Sequence, residues 1–196
     1  MHFLKRAWIW TTRIGRSRGF GVQSPNDYRF LRYVIGEPLP YYKYEVLKNT
    51  VTDIGRSMRK LCQLYFRVAN YCQPAVFVDV SPETAAYQKY VTAGCERTQV
   101  AATHAAAPAD FPDVAGVVLA RMDARQEVES TLGLLLREAP VGSIVILQGI
   151  YESDEARKLW QTAAGHERVG VAYDLYVCGV LLMEHRQYKK CYKVNF

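Results

Sequence analysis

The residues best placed for chemistry follow a short apolar run that contains an acid. Ala75–Val80 reads as a buried strand carrying Asp79, and Ser81 opens the turn into a predicted helix. A strand, turn and helix in this order is where α/β domains commonly bind nucleotide-like cofactors. Such turns usually carry glycines, which let the backbone approach the ligand, yet no glycine lies between Gly55 and Gly94. The sequence therefore predicts the strand, turn and helix of a cofactor site without the glycines that such a turn usually carries.

Histidine and cysteine offer no comparable pattern. The four histidines show no partner spacing, and the five cysteines are odd in number and form no CxxC pair. Reduced core thiols in a cytoplasmic protein fit this usage better than a zinc site or a disulfide framework. No catalytic residue and no metal ligand is predicted from these residue types.

From residue 73 onward, short apolar runs alternate with helical patterns. Short buried strands separated by helices favour a mostly parallel sheet with helices on both faces, that is, an α/β domain over residues 73–196. The last two runs lie too close together for a helix between them and should form an antiparallel hairpin. The predicted strands are Ala75–Val80, Thr98–Ala102, Val114–Leu119, Gly142–Leu147, Val169–Tyr173 and Tyr176–Met183, and the predicted helices are Pro82–Thr92, Asp123–Arg137 and Ser153–Ala164.

Residues 1–72 form a basic, aromatic region that reads as an N-terminal helical extension. It holds 13 Lys/Arg and 4 Asp/Glu, a net charge of +9, whereas the remainder of the chain carries −3. Ser24 or Asn26 can cap a helix over Asp27–Ile35, and Tyr41–Tyr71 is one long helical pattern or two abutting ones. The charge fits a solvated basic face, or a nucleic acid or anionic surface as partner; no apolar run is long enough for a membrane span.

Several segments resemble a small bacterial group of class I S-adenosylmethionine-dependent methyltransferases. They are Gly21–Pro25, Arg67–Tyr71, Gly142–Ser153 followed by Trp160, and Tyr173–Gly179. The resemblance implies a Rossmann-like methyltransferase fold, with a mostly parallel sheet, an antiparallel last strand and preceding N-terminal helices. The resemblance covers most of residues 20–196.

The departures from this family fall on its cofactor site. Asp79–Ala86 stands where the family has a glycine-rich turn, and Ala101–His104 where an acid would bond the ribose hydroxyls. Asp123 and Gln148 stand where the family tends to carry an acidic, metal-binding cluster, and Asp123 alone cannot hold Mg²⁺. Asp123 also reads as a helix N-cap. The connector after Thr103 is about a dozen residues, which predicts fewer than the usual seven strands.

These departures predict a methyltransferase-fold protein that has lost S-adenosylmethionine binding and acts as a binding or scaffold module without a cofactor. Asp79, Ser81, Asp123 and Gln148 would then be vestigial pocket positions. One alternative is an active S-adenosylmethionine-dependent enzyme with an atypical pocket. The other is a nucleic-acid or anionic-surface binder acting through residues 1–72. Enzymatic activity is left open.

Overall fold

The computed structural model describes residues 22, 24–80, 82–103 and 116–196. Within these ranges, seven strands form one sheet in the order β2-β1-β3-β4-β6-β5-β7. β1 to β4 run parallel to one another, β6 runs antiparallel to both neighbours, and β7 pairs parallel with β5. The strands are β1 Val76–Val80, β2 Gln99–Thr103, β3 Val118–Asp123, β4 Ile144–Gln148, β5 Val169–Asp174, β6 Cys178–Met183 and β7 Lys190–Lys193.

Six α-helices accompany these strands in the described residues. They are α1 Pro25–Phe30, continued by a π-helical turn over Leu31–Ile35, α2 Lys43–Thr50, α3 Arg56–Cys72, α4 Ala86–Gly94, α5 Glu129–Glu138 and α6 Asp154–Gly165. For the second half of the N-terminal region, the sequence predicts one long helix or two abutting ones. The structure has two separate helices there, α2 and α3. Ser24 caps α1 and Ser153 caps α6, each hydroxyl accepting a backbone N–H from the first turn.

The helices cover the sheet on both faces, as the alternation predicts. α1 to α4 share one buried cluster with the side chains of Phe77, Leu119, Ile146 and Tyr173. α5 and α6 share a second cluster with alternate residues of the same strands, among them Val78. Residues 25–72 thus pack directly on the sheet, while the domain boundary at residue 72 stays a prediction.

Two expectations about the sheet are wrong. The sheet has seven strands, because Lys190–Lys193 adds β7 at one edge. The antiparallel strand β6 is therefore not the last. β7 is short and largely exposed, so it has no apolar signature; it is held instead by Tyr192, whose ring stacks on Tyr173 with a 5.5 Å centroid separation. The predicted short connector after Thr103 falls mainly on residues outside the described ones.

The third predicted strand also lies further along the chain than expected. The sequence predicts Val114–Leu119, whereas β3 runs from Val118 to Asp123 and contains a buried arginine, Arg121. Asp123 is consequently the end of a strand and not a helix N-cap, since α5 begins six residues later with Val128 at its cap position. No helix in the described ranges is long and apolar enough to cross a membrane.

Candidate functional site

The sheet changes direction between β1 and β3. From β1 the chain passes through α4 to β2 on one side, and from β3 it passes through α5 to β4 on the other. α4 and α5 lie on opposite faces of the sheet. In open α/β sheets, such a switch point leaves a crevice at the carboxyl ends of the two strands, and this crevice is the usual ligand site.

A buried ion pair occupies this switch point. Asp79 of β1 and Arg121 of β3 are register partners, so their side chains leave the same face of adjacent strands. Arg121 NH1 donates to Asp79 Oδ1 at 2.9 Å and to the Val80 carbonyl at 3.3 Å. The other carboxylate oxygen accepts from Gln88 Nε2 of α4 at 3.1 Å. Asp79 is 0% exposed and Arg121 is 2% exposed.

Two tyrosines and Gln148 extend the pair across the ends of the parallel strands. The Arg121 guanidinium lies over the Tyr87 ring, 4.6 Å from its centroid. Tyr87 contacts Gln148 Oε1 through its hydroxyl at 3.5 Å, and Gln148 Nε2 donates to the Tyr65 hydroxyl at 3.1 Å. Protein side chains therefore link the β1 and β4 strand ends without a gap in the chain of contacts.

The electrostatics of this network follow from its burial. Burial raises the pKa of the Asp79 carboxyl, while Arg121 and the hydrogen bond from Gln88 oppose that rise. Burial likewise raises the pKa of the Tyr65 and Tyr87 hydroxyls, so both stay protonated at neutral pH. One nitrogen of Arg121, Nε, is buried and has no hydrogen-bond partner. The network is otherwise a set of mutually satisfied groups around one ion pair.

Asp123 forms a second, more exposed pair at the end of β3. Its Oδ1 accepts from the Arg125 backbone N–H at 3.0 Å and from Arg125 Nε at 2.8 Å, and its Oδ2 contacts the guanidinium as well. Burial raises the pKa of the Asp123 carboxyl, but the side-chain and backbone hydrogen bonds from Arg125 outweigh burial and leave that pKa below its usual value. Gly149, at φ +70°, brings the turn after β4 against the same carboxylate.

The structure thus places three of the four predicted positions together. Asp79 is the penultimate residue of β1, Asp123 and Gln148 end β3 and β4, and all three point to the α3–α4 face of the sheet. Ser81 lies outside the described residues. Each of the three is engaged by a protein partner, and two of those partners, Arg121 and Arg125, are not predicted from the sequence.

Neither arginine carries a strong signal in the sequence. Arg121 stands in the run Val118-Leu-Ala-Arg-Met-Asp123, where a lone charge reads as the end of a buried strand. Its partner is 42 residues earlier, so only the register of β1 on β3 brings the charges together. A buried carboxylate in a strand, such as Asp79, is the one hint, because it demands a cation or several donors nearby.

Metal and thiol chemistry find no support in the described portion of the chain. No group of three or more His, Cys, Asp or Glu side chains there could hold a metal ion. All five cysteines are free; Cys62, Cys95 and Cys178 are buried, as core thiols should be, and Cys191 is exposed. Burial raises the pKa of the Cys62 thiol to about 12, which leaves it without nucleophilic thiolate at neutral pH.

An open hollow of about 790 Å³ lies next to this edge, between the loop after β3 and the first turns of α5 and α6. Arg125 and the carboxylates of Glu127, Glu129 and Glu155 line it. Ser153, which also lines it, is used as the α6 cap.

Comparisons with known proteins add a similarity to solved structures alone. No protein-family model matches the chain, and no curated protein matches it. Among solved structures, the chain is similar to one described as the crystal structure of cofactor-bound Rv0187 from MTB, with 13% sequence identity and a TM-score of 0.49. The alignment covers 83% of this chain and 98% of that chain.

Proposed function

We propose that this chain is a methyltransferase-like, Rossmann-type protein that has lost S-adenosylmethionine binding and acts as a binding or scaffold module. Support for the fold comes from a parallel β1–β4 sheet with helices on both faces and one antiparallel strand, β6, inserted between β4 and β5. Together with the segments that resemble the family, this order favours descent from a cofactor-binding ancestor.

The observation that carries the loss of binding is the Asp79–Arg121 pair at the switch point. A cofactor that used either charge as a polar partner would have to separate this pair, which is almost completely buried. Breaking a buried pair costs about 3–5 kcal/mol, because one uncompensated charge remains in a medium of low polarity. That cost alone weakens a ligand more than about a hundredfold.

The end of β2 gives independent support. A ribose would be bonded there by a carboxylate, and β2 instead ends in Ala101, Ala102 and Thr103. None of these side chains can accept two hydroxyl protons as a carboxylate does. A ligand would therefore lose a specific polar contact as well as meeting the buried Asp79–Arg121 pair.

A thermal-shift experiment with S-adenosylmethionine and S-adenosylhomocysteine tests the proposal. A ligand present at about a hundred times its Kd stabilises the folded state by about 2.7 kcal/mol. In a chain of this size that amounts to roughly 5–10 °C in Tm. We expect no shift from either ligand. A shift of several degrees would show that the crevice opens and would favour the active enzyme with an atypical pocket.

A further inference from the structure

One face of the first helix is built of two tyrosines and two arginines. Along Pro25–Ile35 the buried side chains are Asp27, Phe30, Leu31, Val34 and Ile35. Tyr28, Arg29, Arg32 and Tyr33 are exposed and follow the opposite side, in two i, i+4 pairs that each join a tyrosine to an arginine. We name these four residues the Tyr–Arg face. Tyr28 is 40% exposed and Tyr33 is 58% exposed.

Within the described ranges, no carboxylate pairs with the two positive charges of the Tyr–Arg face. Neither Arg29 nor Arg32 forms an ion pair with another described residue. The one carboxylate of this helix, Asp27, is buried and held by Arg186, at 2.8 and 2.5 Å, and by the Tyr192 hydroxyl at 2.9 Å. Both arginine charges are therefore available to an anionic partner, in the region that carries most of the chain's positive charge.

The helix that presents this face is fixed to the body of the protein. Phe30 stacks on Tyr173 at a centroid distance of 5.2 Å and meets Tyr71 edge-on at 5.1 Å. Arg67 of α3 donates from Nε to the Val34 carbonyl at 2.5 Å and from NH2 to the Ile35 carbonyl at 3.2 Å. A partner therefore meets a preformed surface, so little ordering entropy is lost on binding.

From this face we infer that the chain binds single-stranded nucleic acid, with Arg29 and Arg32 on phosphates and Tyr28 and Tyr33 stacking on bases. Aromatic rings beside arginines are what single-stranded polynucleotides need, since every base has a π-face and every linkage a charge. A membrane-inserting surface would carry aliphatic side chains, and this face has none. The inference is independent of whether a cofactor binds at the switch point.

The test is fluorescence anisotropy of a labelled oligouridylate of about 12 nucleotides, a length within the range of single-strand sites. The full chain is titrated at salt concentrations from about 50 to 200 mM, because each phosphate contact contributes to the salt dependence. The variants are Arg29→Gln/Arg32→Gln, Tyr33→Leu and Tyr33→Phe. The matched control is Arg137→Gln/Lys158→Gln, which removes the same charge from α5 and α6 across the sheet.

We expect the Arg29/Arg32 variant to lower the slope of log K against log salt by about 1.4, the value for two lost single-strand contacts. Tyr33→Leu should weaken binding about tenfold, through loss of stacking, while Tyr33→Phe keeps it. The control should match the wild type in affinity and slope. All four variants should keep the wild-type Tm, because the substituted side chains are surface residues.

Three results would overturn the inference. One is the absence of oligouridylate binding by the wild type at the lowest salt concentration. Another is an equal loss of affinity in the control variant, which would show that binding depends only on the net charge of the chain. The third is binding to phosphatidylserine vesicles that depends on Arg29 and Arg32 while the oligonucleotide does not bind, which would make the face a membrane contact.

Discussion

Separate removal of each charge in the Asp79–Arg121 pair should be far more harmful than removal of both. Arg121→Met leaves the Asp79 carboxylate fully buried with Gln88 as its remaining side-chain donor. Asp79→Leu leaves the guanidinium with the Val80 carbonyl and the Tyr87 ring. We expect each single variant to lose about 3–5 kcal/mol, the range measured when one partner of a buried pair is deleted.

The double variant Asp79→Leu/Arg121→Met should unfold within about 2 kcal/mol of the wild type, or be more stable, because apolar side chains of similar volume can replace a buried pair. Urea denaturation followed by far-ultraviolet circular dichroism measures all four members of the cycle. With a slope of roughly 2 kcal/mol/M, each single variant should shift the midpoint down by about 1.5–2.5 M. The coupling free energy between the two positions should exceed about 3 kcal/mol.

The pH dependence of the unfolding free energy in the same four proteins shows whether ionisation of Asp79 stabilises or destabilises the folded state. Burial raises the folded-state pKa of Asp79, so its protonated form is favoured in the folded state, and stability is lost as the pH rises through that pKa. Without Arg121, less opposes the rise in the pKa of Asp79, so the loss of stability with rising pH becomes larger. The deficit of Arg121→Met should therefore be larger at pH 7 than near pH 4, where the carboxyl takes up a proton.

Two outcomes would refute this reasoning. If the single effects simply add in the double variant, the two charges are not coupled in the folded state. If either single substitution stabilises the protein, the pair is under strain of the kind kept at ligand sites, and the closed switch point is not core structure. Lys48→Met is the matched control: it also breaks an ion pair, with Glu45, but the two side chains are 59% and 79% exposed, so its loss should cost less than about 1 kcal/mol.

Three further substitutions test other regions of the structure. Gly179→Ala should lose about 2 kcal/mol or more in thermal denaturation, because a Cβ there would lie 2.1 Å from the Trp160 ring; an unchanged Tm would contradict this packing. Asp123→Asn should lose about 1 kcal/mol at pH 7 and nothing at a pH well below 4, because stability from a lowered pKa is lost as the pH falls through it; a deficit that urea titrations find independent of pH would count against the pair. Arg67→Met should cost about 3 kcal/mol by urea denaturation, since two carbonyls of the π-helical turn lose charged donors, and a cost under about 1 kcal/mol would show that the turn does not depend on it.

Much of the fold could be predicted because its signals are local. The apolar run of β1, the Ser24 cap and the close pair of strands β5 and β6 are each confirmed. Gly179 and Trp160 belong to the segments that resemble the family. They pack so closely that a Cβ at position 179 would clash with the Trp160 ring. Such features depend on neighbours a few residues away in sequence or on burial periodicity.

What could not be predicted depends on partners distant in sequence. Arg121 is stable inside β3 because Asp79 neutralises it from 42 residues away. β7 is a strand because Tyr192 reaches Tyr173 and Asp27. Its four residues are mostly exposed and show no periodicity from which a strand could be predicted. The sequence predicts Asp123 as a helix cap because short acids favour caps, whereas its carboxylate is held by Arg125 in a turn.

Isothermal titration of S-adenosylhomocysteine into the full chain tests most directly whether the switch point is closed. This ligand is chemically inert in methyl transfer, so any heat reports binding alone. We predict no saturable heat at ligand concentrations up to about 1 mM, which sets the binding free energy weaker than about −4 kcal/mol. A one-to-one isotherm with a micromolar Kd would contradict the proposal, because the chain would then have kept its affinity for the cofactor.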